Sequence, residues 1–467
     1  MMSTRVLAIS IVIAFAGCTQ SSSPIASLPT STQPSANAEP STIARSSHIV
    51  TPQGFGAPVK IQHVVIIVQE NRTVNDLFNG FPGALTVRTA KNSFGKLVYL
   101  RPIPLTAPYD IGHTHTAFAT EYAGGKMNGF NLVTSSCDKD DTCAPAAVRA
   151  YGYVPAKEIA PYFIMAKRYA FANHMFQTNE GPSFPAHQYL LSGTSTISDG
   201  SSLRASENPQ TPKHKETGGC NSPAGSVVRL IDPQGNENQT AYPCFNRNSL
   251  IQLIEAKSLT WHYYQDHLGP GLWEAPDAIA PVFHSPLFAS DVVAPPSQVL
   301  KDIAAGSLAN VVWVTPTWAA SDHAGSTDGS GPSWVASVVN KIGLSKYWKN
   351  TAIFVTWDDW GGWYDPMPPA VYNSYELSFR VPLLVISAYA KPHYISPVQH
   401  EFASILKFTE KAFDLGSLGT TDVRADDLSD CFDFSKGPQR FIPIPAPLNA
   451  DYFLRQPVSN KDPDDDF

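Results

Sequence analysis

His63-Val-Val-Ile-Ile-Val-Gln-Glu-Asn-Arg72 is the stretch whose reading decides the fold. Val64 to Val68 is an unbroken, β-branched run of strand length, and a strand without polar alternation is buried on both faces, as in a parallel sheet. Asn310 to Thr315, Ala352 to Thr356 and Val381 to Ser387 share that character and are read as further central strands. Between them lie helical patterns. Ser333 to Trp348 places Trp334, Val335, Val338, Val339 and Ile342 at three- and four-residue spacing, and Glu401 to Phe413 places Phe402, Ile405, Leu406 and Phe413 on one side. Strands alternating with helices of this length predict an α/β fold, with a central, mostly parallel sheet covered by helices on both faces. The polar, Gly-, Pro- and Asn-rich stretch near 195–250 is expected to be an insertion on the sheet with no separate core.

Hydrophobic residues make up 43% of the 467-residue chain, enough for a packed core. The net charge of -7 comes without any basic run that would neutralise a nucleic-acid backbone, which excludes a nucleic-acid scaffold as partner. At the N-terminus, Arg5 precedes an apolar run from Val6 to Gly17 that is too short to span a bilayer. Ala16-Gly17-Cys18 looks like a lipobox, although Phe15 departs from its usual aliphatic residue. Residues 1–18 are therefore read as a signal peptide with lipidation at Cys18, with ordinary signal-peptidase release as the alternative; both send the chain out of the cytoplasm, to the periplasm or cell envelope. Residues 19–55 read as a tether, 56–455 as a single catalytic domain and 456–467 as a tail. Export permits disulfides: Cys137 and Cys143 are close enough for a small loop, and Cys220 and Cys244 bracket a polar insertion. Cys431 is left as a buried free thiol.

In open α/β sheets, ligands bind beyond the carboxyl ends of the strands. The first strand exits into Glu70, Asn71 and Arg72, and the Ala352 to Thr356 strand into Trp357, Asp358, Asp359 and Trp360. Three converging carboxylates repel one another unless a cation compensates them, and oxygen donors, including the Asn71 amide, suit a hard divalent ion. The bland alternative is that these acids cap helices or solvate loops. Ser183, within Gly181-Pro-Ser-Phe-Pro-Ala-His187, reads as a helix N-cap, a position that also faces free backbone donors and the positive end of a dipole.

Taken together, HVVIIVQENRTVNDLFNG at 63–80, the Ser-x-Pro at Ser183, Ser321-Asp322-His323 and TWDDWGGWYDPMPP at 356–369 resemble the bacterial phosphoesterase family of acid phosphatases and phospholipases C, within the alkaline phosphatase superfamily. The match runs in order from about residue 60 to 435. It implies an alkaline-phosphatase-like fold and a single divalent metal held by Glu70, Asn71, Asp358, Asp359 and the nucleophile Ser183. It also implies that His113 and His323 surround the phosphoryl group. The pattern is broken at three places: Ala186 and His187 stand where many relatives have Asn-Arg, Asp359-Trp360 where many have Glu-His, and Pro366 where many have His. His174, His284 and His400 are further histidines that no motif supports. The activity implied is phosphoester hydrolysis through a phosphoserine, as a broad-specificity acid phosphatase on small phosphoesters. The alternatives are a phospholipase C acting on phospholipid headgroups and, from another class, a surface lipoprotein that binds without catalysis.

Overall fold

The computed structural model of the chain describes residues 61–137, 144–145 and 147–458. The expected signal peptide, lipidation at Cys18, tether, most of the expected tail and the expected Cys137–Cys143 disulfide lie outside the described residues. The opening stretch forms β1 (His63–Gln69), with Val64 to Val68 essentially without solvent exposure. Seven more strands share its sheet: β2 (Ala170–Ala172), β3 (Trp261–Tyr264), β4 (Val292–Val293), β5 (Val311–Val314), β6 (Thr351–Trp357), β7 (Leu383–Ser387) and β8 (Tyr394–Ser396). Their spatial order is β4-β3-β5-β1-β6-β7-β2-β8. β1 runs parallel to both of its neighbours, β5 and β6. β7 runs antiparallel to β6 and to β2, so the sheet is mostly parallel with one reversed strand. An apolar run buried on both faces reads alike in either direction, which is why composition could not foretell the reversal.

Helices pack on both faces of the sheet. Along β6, Phe354 meets Phe408 of the helix Phe402–Phe413 with ring centroids 5.0 Å apart. Three residues on, Trp357 points the other way and meets Tyr162 of the helix Ala160–Arg168, also at 5.0 Å. The odd spacing sends the two rings to opposite faces. The helix expected over 333–348 spans Gly331–Gly343, and Trp348 falls in a separate 3-10 turn. The one expected from Glu401 starts at Phe402, with Glu401 as its N-cap in a capping box with Ser404. No helix among the described residues is long and apolar enough to cross a membrane.

The stretch near 195–250 differs from the coreless insertion expected. Arg204–Ala205, Val228–Ile231 and Gln239–Ala241 form a three-stranded antiparallel sheet, and Cys220 is disulfide-bonded to Cys244. Ala205, Val228, Leu230 and Phe245 make a hydrophobic cluster together with Phe184, Leu272, Trp273 and Ala278. The alternating Val228-Arg-Leu-Ile231 supplies that cluster despite the polar surroundings. Cys431 is free and buried, as expected.

One buried ion pair ties down the loop between β6 and β7. Arg380 reaches Asp365 with Nε to Oδ1 at 2.8 Å and Nη2 to Oδ2 at 2.9 Å, both side chains at 0% exposure. Arg380 also donates to the carbonyls of Asn173 and Leu85. Removing one partner strands a charge in a dry interior. Arg380→Ala is expected to cost about 3–5 kcal/mol in urea unfolding, and a loss under about 1 kcal/mol would contradict the strength assigned to this pair.

Candidate active site

Strand pairing creates the site. Gln69 of β1 lies opposite Trp357 of β6, so Glu70 and Asp358 leave the sheet side by side. The Asp358 N–H donates to the Gln69 carbonyl at 2.9 Å, and the Asn71 N–H donates to Asp358 Oδ1 at 3.1 Å. Asn71 sits at φ 61°, a left-handed conformation that Asn tolerates better than most residues. Gly361 has no such freedom to change, because a Cβ there would lie 2.4 Å from the Asn71 carbonyl oxygen.

The third contributor is the helix α1 (Ser183–Ser192). Pro182 takes the N-cap position and Ser183 is the first helical residue, one place beyond the N-cap reading. The helix end also offers fewer open donors than expected, since the Phe184 N–H donates to Asn208 Oδ1 and Pro185 has no N–H. Ser183 Oγ donates to Asp359 Oδ2 at 3.2 Å. One turn on, His187 projects to the same side. Its Nε2 lies 3.3 Å from Glu70 Oε1 and 3.7 Å from Asp358 Oδ2.

Glu70, His187 and Asp358 each bring one donor atom within 4.8 Å of the others. Asn71 Oδ1 and Asp358 Oδ2 are buried there without a hydrogen-bond partner. Burial pushes the His187 pKa down to about 4, with Asp358 opposing, so the imidazole is neutral at pH 7 and cannot offset the adjacent carboxylates. Buried oxygens without hydrogen-bond partners beside clustered carboxylates are what a divalent cation would complete, so these residues fit a metal. His187 was not among the ligands expected from sequence. Its signal was present in the helical pattern, four residues after Ser183.

Two histidines flank the serine. His113 Nδ1 donates to the Ile111 carbonyl at 2.7 Å, which leaves Nε2 to face Asn71 Nδ2 at 3.2 Å and Asp359 Oδ2 at 3.8 Å. His323 Nδ1 donates to the Ala324 carbonyl at 2.7 Å, and its ring stacks on Trp318 with centroids 5.3 Å apart. The two imidazoles are 6.2 Å apart between centroids, and with Asp110 they form another group of converging donors. The structure thus brings together Glu70, Asn71, Asp358, Asp359, Ser183, His113 and His323. The other three histidines are engaged differently. His174 bonds the Pro397 carbonyl, His284 is exposed against Phe283, and His400 pairs with Asp426. Trp357, Trp360 and Trp363 are fully buried and pack: Trp363 lies under the Arg72 guanidinium, and Trp360 donates to Glu121.

A cavity of about 560 Å³ opens beside the serine, lined by His113, Thr114, Pro182, Glu207, Asn208 and Arg229 among others. Near its wall His115 sits 3.6 Å from Glu180 and 3.4 Å from Glu237. Burial lowers its pKa, but the two glutamates outweigh that and hold it at about 9. His115 is therefore a fixed cation near neutral pH.

An acid-rich centre at the carboxyl edge of a mostly parallel sheet, with a serine and two histidines beside it, defines the class of protein. The Phosphoesterase family model matches residues 61–416, and the chain belongs to that family. It is 22% identical over 460 residues to a hemolytic phospholipase C of Pseudomonas aeruginosa, covering 85% of this chain and 59% of the relative. A non-hemolytic phospholipase C of the same organism is 22% identical over 486 residues, covering 90% and 64%. Phospholipase C A of Mycobacterium tuberculosis is 22% identical over 437 residues, covering 82% and 79%. The chain thus spans less than two thirds of the length of the two Pseudomonas relatives.

Gly361 gives a direct check on the loop geometry. At φ 57°, any side chain strains the backbone by about 1–2 kcal/mol, and the contact with Asn71 adds to that. Gly361→Ala is expected to unfold at clearly lower urea concentration than the parent, and an unchanged midpoint would rule out the close approach.

Proposed function

We propose that the chain is a metal-dependent phosphoester hydrolase in which Ser183 is the nucleophile. The reading is carried by the placement of Ser183 Oγ, which is 3.2 Å from Asp359 within the same acidic centre as Glu70, Asn71 and Asp358. Family membership supports the reaction class. Glu70, Asn71, Asp358, Asp359 and Ser183 are the residues proposed to hold one divalent ion, with His187 added as a nitrogen donor. That nitrogen widens the preference from hard ions toward borderline ones such as zinc or manganese. The bound ion would supply Lewis acidity, lowering the pKa of a coordinated hydroxyl and screening charge on the phosphoryl group.

The chain's own residues account for the rest of the cycle. Ser183 Oγ forms the new bond to phosphorus as the bond to the leaving alcohol oxygen breaks, and Asp359 is the acceptor placed for the serine proton. His113 and His323 have Nδ1 anchored on carbonyls, so each presents Nε2 to the site, and one of them in its protonated form delivers a proton to the leaving oxygen. Water then attacks the phosphoserine and returns Ser183. Fixed donors around the phosphoryl group stabilise the charge that grows on its oxygens.

Small phosphate monoesters are the proposed substrates. The cavity beside Ser183 carries polar groups from Thr, Glu, Asn, Gln and Arg side chains along with apolar Leu132, Val133 and Val227, which together can seat a small leaving group through hydrogen bonds. The second reading, phosphodiester cleavage at a phospholipid headgroup, is favoured by the three relatives named as phospholipases C. Export, and attachment through Cys18, belong to the same proposal.

Ser183→Ala is expected to lower turnover by about 10⁴-fold or more while leaving the fold and metal content as they were. Unaltered hydrolysis in that variant would sink both readings. Comparing para-nitrophenyl phosphate with a phosphorylcholine ester separates them, because activity confined to the choline ester selects the phospholipase. Chelation should abolish either activity, and return of divalent ion should restore it.

A further inference from the structure

A second group of metal-type donors lies at the edge of the sheet, with no part in the serine centre. His400, Asp430 and Cys431 bring a ring nitrogen, a carboxylate oxygen and a thiol sulfur within 4.8 Å of one another. The three come from two separate pieces of chain. His400 directly precedes Glu401, the N-cap of the helix Phe402–Phe413, while Asp430 and Cys431 lie in the turn Ser429–Cys431.

The surrounding contacts hold these donors in place. His400 Nδ1 is 3.0 Å from Asp426 Oδ1, a carboxylate-to-imidazole contact that fixes the ring and leaves Nε2 turned toward Asp430 Oδ1 at 3.7 Å. Ser396 Oγ donates to Asp430 Oδ2 at 2.5 Å, and the Tyr394 hydroxyl donates to the same oxygen at 3.1 Å. The carboxylate is thus aimed, and its Oδ1 is buried without a hydrogen-bond partner. Ser396 Oγ, its own proton given to Asp430, also accepts from His400 Nε2 at 2.9 Å, a hydrogen bond that a metal on Nε2 would replace. The His400 side chain is fully buried, whereas Asp426 and Asp430 keep 31% and 20% exposure, which leaves an entry route from solvent.

In a plain ion pair between His400 and two aspartates the thiol would serve only as a weak hydrogen-bond donor to Asp430. A buried sulfur beside a carboxylate is unfavourable once ionised, and a cation bonded to both removes that conflict. We propose that His400 Nε2, Asp430 Oδ1 and Cys431 Sγ form a structural site for a borderline-soft divalent ion of the zinc type, fastening the 429–431 turn to β8 and to the start of the following helix. Nitrogen, oxygen and sulfur in one set favour such an ion over magnesium or calcium. Binding forms metal–nitrogen, metal–oxygen and metal–sulfur bonds and releases the thiol proton, with any proton on Nε2, to solvent.

Cobalt(II) is the probe. Added to the full chain after removal of bound metal, it should give a near-ultraviolet thiolate-to-cobalt charge-transfer band. The serine centre has no sulfur and is silent in that band. The band should vanish in Cys431→Ser, be displaced by zinc, and persist in Asp426→Asn with affinity weakened by roughly 10–100-fold. Phosphoester turnover in Cys431→Ser should match the parent, which separates this site from the catalytic one. No band in parent protein whose Cys431 is shown by alkylation to be reduced, or a band that survives Cys431→Ser, would overturn the proposal. If Cys431→Ser fails to fold, the parent titration and Asp426→Asn decide, since unweakened binding in the latter contradicts the assigned geometry.

Discussion

Carboxylates buried side by side repel, and the carboxyl edge of this sheet is organised around that repulsion. The parallel pairing of β1 with β6 forces Glu70 next to Asp358, and neither can withdraw while Gln69 stays opposite Trp357. Burial keeps His187 neutral beside them, and the Arg72 guanidinium is engaged by Asp76 and by the carbonyls of Asp322 and Leu105. On the proposed reading a bound divalent ion would offset the carboxylate charge, and backbone geometry, more than flexible side chains, would set its place.

The supports of this edge are unusually dry. Asp322 accepts from the Tyr162 hydroxyl and from Trp357 Nε1, and burial raises its pKa to about 7. A Cβ on Gly331 would lie 2.0 Å from Asp322 Oδ1, so the helix Gly331–Gly343 begins in direct contact with the acid. Low dielectric strengthens every interaction across the loops and makes each misplaced polar group costly. The rigidity that positions His323, next in the chain to Asp322, follows from that packing.

Much of this was legible in the chain itself because central strands are uniform. Val64 to Val68 carries its burial in its composition, and a polar residue directly after such a run marks the ligand edge. Direction was not legible, since β7 looks the same read either way. The helix at Ser183 was readable, but the loss of its free N–H groups depends on Asn208, which is distant in sequence and carries no local signal. His187 was within reach, because helical spacing alone puts it beside the serine. The cluster under residues 195–250 was hidden because half of it is supplied from elsewhere, by Phe184, Leu272, Trp273 and Ala278.

That sharing couples two parts of the molecule. Phe184 follows the serine directly, yet its ring belongs to the hydrophobic cluster of the 195–250 segment, 6.1 Å from Phe245 between centroids. The segment that borders the cavity therefore also grips the first turn of the helix bearing the hydroxyl. With Ser183 as the proposed nucleophile, exchanging this segment to suit a different leaving group would disturb the seating of its oxygen as well, so substrate range and chemical competence would have to evolve as one unit.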